Sequence, residues 1–279
     1  MRMQGIVKVI ATLAVSFFII SIFVGEELAF IVTAFVTLYA WIGEYIALWR
    51  AGAISEDKLN VYEKNKLQCI KEMIAGKVER FSGEDISGIK LHIIPDDGVN
   101  AMAYGFNNVS FTKGAIESCD EMTLCAIFSH EISHILCLDA VFNRVILADF
   151  TVIIIGLMTV SFVTVSFLWL LFLVLILAGI CRGFLSIFIT SSLVKGVKGI
   201  FEIVQQGILF ICQVIMAAIS RCAEYRADQL AVDLGFGVQL SYFLKRFVQD
   251  NGRKSLTKIL YASHPAPYLR VQRIEQRQG

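Results

Sequence analysis

The residues best suited to chemistry lie in one short stretch, His130 to His134, which reads H-E-x-x-H. Residues four apart share one face of a helix, so the two imidazoles can bind one metal ion. Glu131 lies one step round the helix, where its carboxylate can take a proton from a water on that ion. Because the chain has only four histidines, chance placement at this spacing is a poor explanation. The motif predicts a zinc site with His130 and His134 as ligands and Glu131 as general base.

The residues around the motif predict the helix that must position it. Asp120 is placed to cap the N-terminus of this helix, and Glu121 adds a favourable negative charge in the first turn. Apolar residues recur at helical spacing and should face the core: Leu124, Ile127, Phe128, Ile132 and Ile135.

A pair of carboxylates further along the chain predicts the rest of the metal site. Glu224 and Asp228 are four residues apart and share a helix face. A carboxylate downstream of H-E-x-x-H is the expected third zinc ligand, and a second one can orient a ligand histidine. The alternative is a surface ion-pair face of little energetic value. The preceding motif favours Glu224 as the ligand.

The overall composition predicts a membrane protein in a reducing compartment. The 279 residues are 56% hydrophobic, with a mean hydropathy of +0.67, which is too apolar for a soluble domain. The net charge of +1 gives no support to a nucleic-acid partner. Seven cysteines without a C-x-x-C pair argue against a disulfide framework. The first apolar run lacks a small-x-small cleavage site, so we expect no cleavable signal peptide.

Two apolar stretches near the N-terminus, Ile6–Val24 and Leu28–Trp49, are each long enough to cross a hydrocarbon core of about 30 Å. Glu44 lies near the end of the second and is expected to reach the interface. Basic residues lie at the beginning of the first stretch and after the end of the second. The positive-inside rule therefore places both ends of this hairpin in the cytoplasm. These flanking residues are Arg2, Lys8, Arg50, Lys58, Lys64 and Lys66.

The composition between residues 51 and 143 is that of a soluble domain. It predicts a helix over Lys58–Arg80 and short strands at Leu91–Ile94, Asn100–Gly105 and Val109–Thr112. His92 lies within the first strand and outside any metal-ligand spacing, so we expect it to be structural.

The apolar run that follows, Val145 to Cys181, is too long for one crossing. If Glu224 binds the same ion as His134, the number of crossings between them must be even. The simplest solution is a second hairpin with an outer tip at about Thr159–Ser166, which places the nearby basic residues in the cytoplasm. These residues are Arg144, Arg182, Lys195 and Lys198.

A rival solution to this topology uses one long tilted span followed by Ile203–Ile219 as the second span. It places Lys195 and Lys198 outside, which the positive-inside rule disfavours. Beyond these spans, the C-terminal part from Leu240 predicts two further helices.

Four motifs follow one another along the chain. Asn100–Gly105 reads N-A-x-A-x-G, and the H-E-x-x-H helix follows it, with a small residue at Ser133 and a trailing Asp139. Ser220–Asp228 reads S-R-x-x-E-x-x-A-D, and the sequence from His264 to Arg270 reads H-P-x-x-x-x-R. In this order the motifs resemble those of the HtpX-type membrane zinc metallopeptidases, relatives of the CAAX prenyl endopeptidases.

The resemblance implies a zinc endopeptidase of the inner or plasma membrane that cleaves membrane proteins on the cytoplasmic side, in quality control or stress response. One Zn²⁺ per chain would be held by His130, His134 and Glu224, with Asp228 and Asp139 supporting the ligands. His264 or Arg270 would stabilise the oxyanion. The strand residues Asn100, Ala101, Met102 and Ala103 would pair with the substrate backbone.

We therefore expect an α+β fold: a zincin-like metallopeptidase domain with a small sheet, carried on an α-helical transmembrane bundle of two hairpins. The expected parts are an N-terminal hairpin (1–50), the first catalytic part (51–144), a second hairpin (145–194) and the second catalytic part (195–279). Expected partners are membrane-protein or peptide substrates and the lipid bilayer, without nucleic acid. A homo-oligomer is left open.

Two rival functions remain at this point. An intramembrane site-2-type protease would carry H-E-x-x-H inside a span, whereas here the motif lies between polar Glu117–Glu121 and Arg144. A catalytically inactive scaffold or chaperone could keep the metal for stability alone. The intact Glu131 argues against that second rival.

Overall fold

The computed structural model describes residues 1–179, 184–248 and 264–278, and it is mostly helical with one small sheet. Four of its helices are long and apolar enough to cross a membrane. This confirms the predicted fold class. In chain order, the elements are α1 Arg2–Val24, α2 Glu26–Arg50, β1 Ile54–Ser55, α3 Val61–Ser82, β2 Lys90–Ile94, β3 Ala101–Tyr104, β4 Asn108–Thr112, α4 Lys113–Ser118, α5 Glu121–Leu136, α6 Asp139–Leu177, α7 Phe184–Asp233, α8 Gly237–Phe247 and α9 Pro267–Gln278.

The chain divides into two compact units, Met1–Ile146 with Met216–Gly279, and Leu147–Ile215. The first unit contains the sheet, the helices that cover it, and the N-terminal helices α1 and α2. These two helices meet at Gly25 and carry most of their apolar side chains on the outside, as membrane-spanning helices do.

The sheet is mixed and has the strand order β1-β2-β4-β3. Strands β2 and β4 are parallel, while β1 pairs with β2 and β3 pairs with β4 in antiparallel fashion. The predicted strands correspond to β2, β3 and β4. The two-residue strand β1 was not predicted, since so short a strand shows no period. This order leaves β3 at one edge of the sheet.

The core of the first unit lies between this sheet and helices α3 and α5. Phe111 from β4 and Phe128 from α5 are fully buried, with their ring centroids 6.1 Å apart. Burial of such a side chain contributes roughly 1.5–3 kcal/mol. The Asp120 side chain caps α5 by accepting a 2.7 Å hydrogen bond from the Thr123 N–H, as predicted. The predicted apolar face of α5 is buried along its whole length.

The second unit consists of the apolar parts of α6 and α7. Helix α6 continues without a break through Thr159–Ser166, so the outer tip predicted there is wrong. The hydroxyl groups of Thr159 and Thr164 donate to the carbonyls of Ile155 and Val160 at 2.9 and 2.8 Å. Polar side chains satisfied in this way do not end a helix.

Helix α7 is also unbroken, from Phe184 to Asp233, and it contains Lys195, Lys198 and Glu224. Helices α6 and α7 each exceed the roughly 20 residues that one crossing requires. They therefore favour the rival topology, in which one long helix is followed by a second span that leads to Glu224. The predicted basic flank Arg182 lies outside the described residues.

Candidate metal centre

Helix α5 supplies the first half of the site. His130 and Glu131 are 7% and 9% exposed, and His134 is half-buried, one turn further along. The Nε2 atoms of the two histidines are 3.2 Å apart. The i and i+4 spacing has therefore brought the two lone pairs to one point, as the sequence predicts.

Helix α7 supplies Glu224, whose carboxylate is also buried. Its Oε2 lies 3.6 Å from His130 Nε2, and its Oε1 lies 3.7 Å from His134 Nε2. One ligand atom from each of the three residues lies within 4.8 Å of the others. Ligand atoms around a tetrahedral zinc with bonds of about 2.0–2.1 Å are separated by about 3.3–3.4 Å. The three residues therefore fit a single zinc ion.

The other ring nitrogen of each histidine faces a carboxylate. His130 Nδ1 lies 3.0 Å from Asp228 Oδ1, and His134 Nδ1 lies 2.9 Å from Asp139 Oδ2. A carboxylate that accepts the Nδ1–H fixes the ring and leaves the Nε2 lone pair for a metal. The structure thus places Asp228 and Asp139 where they can orient both histidines.

Two residues from the C-terminal part hold the carboxylates. The buried Arg270 donates from Nε and Nη2 to Asp228 at 2.8 and 2.6 Å, and its Nη1 lies 2.8 Å from Glu224 Oε2. His264 is more exposed, and its Nδ1 lies 2.8 Å from Glu224 Oε1. Burying an unpaired carboxylate destabilises the folded protein. The contacts with Arg270 offset this cost for Asp228 and Glu224.

Glu131 faces the edge strand β3. Burial raises the pKa of its carboxyl group, although His130 and His134 and a hydrogen bond from the Ala103 N–H oppose the rise. A raised pKa brings a carboxylate closer to the value that suits a general base at neutral pH. The base and the edge strand therefore lie side by side.

The residues predicted to bind substrate lie at this edge. Ala101, Met102 and Ala103 belong to β3, and Asn100 precedes it. Asn100 fixes the start of the strand, because its N–H donates to Thr112 Oγ1 at 2.9 Å and its carbonyl accepts from the Thr112 N–H at 3.0 Å. No strand among the described residues pairs with the outer side of β3.

Three residues of the site were not predicted. Tyr104 is the last residue of β3. Burial and the negative charge of Glu131 both raise the pKa of its phenol. Arg226 contacts Asp139 Oδ2, and Lys8 Nζ lies 3.0 Å from Asp139 Oδ1. Lys8 and Arg226 are charged residues next to apolar runs, which is the signal that could have found them.

Glu44, near the end of α2, lies buried against the sheet-bearing part of the protein. Its side chain is only 2% exposed, and it accepts a 3.0 Å hydrogen bond from the Phe106 N–H and another from the Asn108 amide. It is buried because the β3–β4 turn closes over it and supplies the donors that an interface would otherwise supply. His92 has a structural place, as predicted, with Nε2 2.7 Å from Asn108 Oδ1.

The chain matches known proteins at the level of family. The model of peptidase family M48 matches residues 62–278. No curated protein gives a significant sequence match. Among solved structures, the crystal structure of S. mikatae Ste24p matches with a TM-score of 0.42 and 16% identity, covering 92% of this chain and 66% of that one. The chain thus spans just under two thirds of the length of that structure.

The family match covers most of the chain, and it includes both the H-E-x-x-H helix and the helix that carries Glu224. The N-terminal helices α1 and α2 lie entirely ahead of it and are two of the four apolar helices of membrane-spanning length among the described residues. The chain is a membrane protein, and it belongs to peptidase family M48, the metallopeptidases.

Proposed function

We propose that this protein is a zinc endopeptidase that cleaves membrane proteins, or peptides close to the membrane, in protein quality control or stress response. The observation that carries the proposal is the meeting of His130, His134 and Glu224 within 4.8 Å, with Glu131 beside them. The resemblance of four separate motifs to the HtpX-type peptidases supports the endopeptidase class and the physiological role.

Each residue of the centre has a separate task. His130, His134 and Glu224 would hold the zinc ion, which would supply Lewis acidity to the water and to the substrate carbonyl. Glu131 accepts a proton from the attacking water on its carboxylate and later delivers it to the leaving amine. Asp228 and Asp139 hold the ligand histidines in the tautomer that exposes Nε2.

Arg270 and His264 are assigned different roles. Arg270 directs its donors to Asp228 and Glu224, so we assign it a positioning role. His264 has a side chain 61% exposed and borders Glu224, and we therefore assign it the donor for the oxyanion.

The substrate backbone lies along the outer edge of β3. An extended peptide can pair with a free strand edge through main-chain hydrogen bonds. Such a peptide would run past Ala103, whose N–H is already directed at Glu131. The scissile carbonyl would then lie close to the base, which is why we place Ala101 to Ala103 in the binding site.

The orientation follows from the charges and the helices together. Helix α6 leaves the side of His134, and α7 returns to it with Glu224, so each crosses once. Most basic residues then lie on the side of the metal centre, which makes that side cytoplasmic in the cell (inner) membrane. They are Arg2, Lys8, Arg50, Lys58, Lys64, Lys66 and Arg144.

Cysteine labelling tests this orientation. Single cysteines at Glu26 and Lys198 should react with an impermeant reagent from outside, and one at Lys66 only after the membrane is opened. The helix from Lys198 to Glu224 is unbroken and, at about 1.5 Å per residue, long enough to cross a core of about 30 Å. Labelling at Lys66 in intact cells would reverse the orientation.

The function itself is tested with the purified protein and a membrane-anchored reporter. We expect about one zinc per chain and cleavage that stops with a chelator and returns with zinc. Wild-type protein that carries zinc but never cleaves would instead indicate the inactive scaffold. Comparing membrane proteomes of cells with wild type and Glu131→Gln would identify the substrates.

A further inference from the structure

The first membrane helix reaches the metal centre through one side chain. Lys8 of α1 places its Nζ 3.0 Å from Asp139 Oδ1. The other oxygen of the same carboxylate lies 2.9 Å from His134 Nδ1. A single carboxylate therefore separates this lysine from a metal ligand.

The position of Lys8 is fixed by close packing of α1. Gly5 lies directly against the backbone of Cys137, where an added Cβ would come within 2.7 Å of the carbonyl carbon and oxygen. The Lys8 ammonium lies 4.4 Å from the centroid of the Phe142 ring, a cation–π distance. Lys8 is thus fixed near the end of α5 by two contacts of its ammonium group, with Asp139 and the Phe142 ring, and by the close packing of its helix at Gly5.

The charge arrangement gives Lys8 a task. Asp139 has two oxygens, and Arg226 and His134 both meet Oδ2. Lys8 is the partner of Oδ1, so it opposes rotation of the carboxylate away from the imidazole. Loss of a partner that orients a metal ligand typically weakens metal affinity by about 10–100-fold.

We propose that Lys8 is a positioning residue of the metal centre, which acts through Asp139 on His134. The first membrane helix is then part of the site and not only an anchor. The inference rests on the proposed function in one respect, that the centre binds zinc. It does not require that the protein cleave any particular substrate.

The test measures zinc affinity in the full-length protein by competition with a chromophoric chelator. Lys8→Met should weaken zinc binding by about 10-fold. Lys8→Arg should keep the wild-type zinc affinity, because arginine also places a cation at Asp139 Oδ1. The matched control is Lys198→Met, which removes a lysine of the second compact unit that pairs with Glu202 at 3.7 Å. Its affinity should equal that of the wild type.

A double-mutant cycle with Asp139→Asn separates a direct effect from a general one. If Lys8 acts through Asp139, Lys8→Met should have no further effect on zinc affinity in the Asp139→Asn protein. Additive effects, or a folded Lys8→Met protein with wild-type affinity, would overturn the inference. Lys8→Gln replaces Lys8→Met if that variant is not recovered folded, with the same expected loss.

The outcomes also distinguish this inference from the proposed function. Wild-type protein that binds no zinc would refute the metal centre itself. Wild-type protein that binds zinc and does not cleave would refute the peptidase, while the effect of Lys8 on affinity could still be measured.

Discussion

The two compact units of this protein cover their apolar surfaces in different ways. In the unit of the metal centre, Phe111 and Phe128 are fully buried by other side chains. In the unit Leu147–Ile215, Phe162 and Leu177 are 73% and 77% exposed. The sheet and the helices packed on it are organised by contacts within the protein, whereas the second unit, like α1 and α2, exposes apolar side chains that suit the bilayer.

The polar groups show the same contrast. Around the metal centre, Glu131, Glu224, Asp228 and Asp139 are all buried and each contacts a partner. In the second unit, the ion pair of Lys198 and Glu202 is exposed. A buried charge requires an opposite charge or a hydrogen-bond partner, whereas an exposed ion pair contributes little to stability. The comparison teaches that substitutions of the same kind should have very different effects in the two units.

The largest difference should appear when the same change is made to a glutamate in each unit. Glu131→Gln removes the proposed general base and should lower kcat/KM by about 10²–10⁴-fold without loss of bound zinc. Glu202→Gln should leave the rate unchanged, because it alters only an exposed ion pair. Cleavage of a membrane-anchored reporter and metal content measure both. A Glu131→Gln protein that cleaves at the wild-type rate would exclude this base.

A pair of phenylalanines gives the next largest contrast. Phe128→Ala leaves a cavity behind the zinc helix and should cost about 3–5 kcal/mol of stability. Phe162→Ala removes an exposed ring and should change stability by about 0.5 kcal/mol or less. Unfolding in detergent with denaturant measures the two. Equal losses would show that the two units are packed alike after all.

Glu131 and Phe128 lie on a helix that is predicted from the sequence and found in the structure, and the reason is local. The zinc helix is specified by Asp120, by the i and i+4 histidines and by its apolar period, all within seventeen consecutive residues of cap and helix. Glu224 is predicted from the nine consecutive residues Ser220–Asp228. Spacing along one helix is enough to predict such features.

Other features depend on the fold and could not be predicted in this way. The unbroken course of α6 through Thr159–Ser166 depends on hydroxyl groups bonding to their own helix. Lys8 and Asp139 are 131 residues apart. Glu44 is buried only because the β3–β4 turn covers it. No local pattern reports contacts between distant segments.

An intermediate contrast uses two aspartates of helix α7. Asp228→Asn weakens the partner of His130 and leaves Arg270 with less opposite charge, so zinc affinity should fall by about 10–100-fold. Asp233→Asn changes a carboxylate that accepts a hydrogen bond from Gln229 and should leave zinc affinity unaltered. Chelator competition measures both variants. If Asp233→Asn were equally harmful, the loss would reflect α7 as a whole.

Two glycines give the smallest contrast. Replacement by alanine should destabilise the protein at one of them and stabilise it at the other. Gly105 has φ +59°, and an added Cβ would come within 2.1 Å of Glu44 Oε2. Gly105→Ala should therefore destabilise the protein by about 1–3 kcal/mol. Gly156 lies inside α6 with open space around it, so Gly156→Ala should stabilise by about 0.4–1 kcal/mol. Thermal unfolding in detergent reports both signs.

The contact of Glu44 with the β3–β4 turn has a consequence for the growing chain. The ribosome adds Glu44 to the chain 62 residues before Phe106. At about 5–20 residues per second, Phe106 is therefore synthesised about 3–12 s after Glu44. The interval is longer for Lys8, since Asp139 follows it by 131 residues. Both charges lie towards the same end of the α1–α2 hairpin, where they can stay hydrated during translation. Biogenesis therefore completes the hairpin first, and the nascent catalytic part then assembles onto two charges already in place.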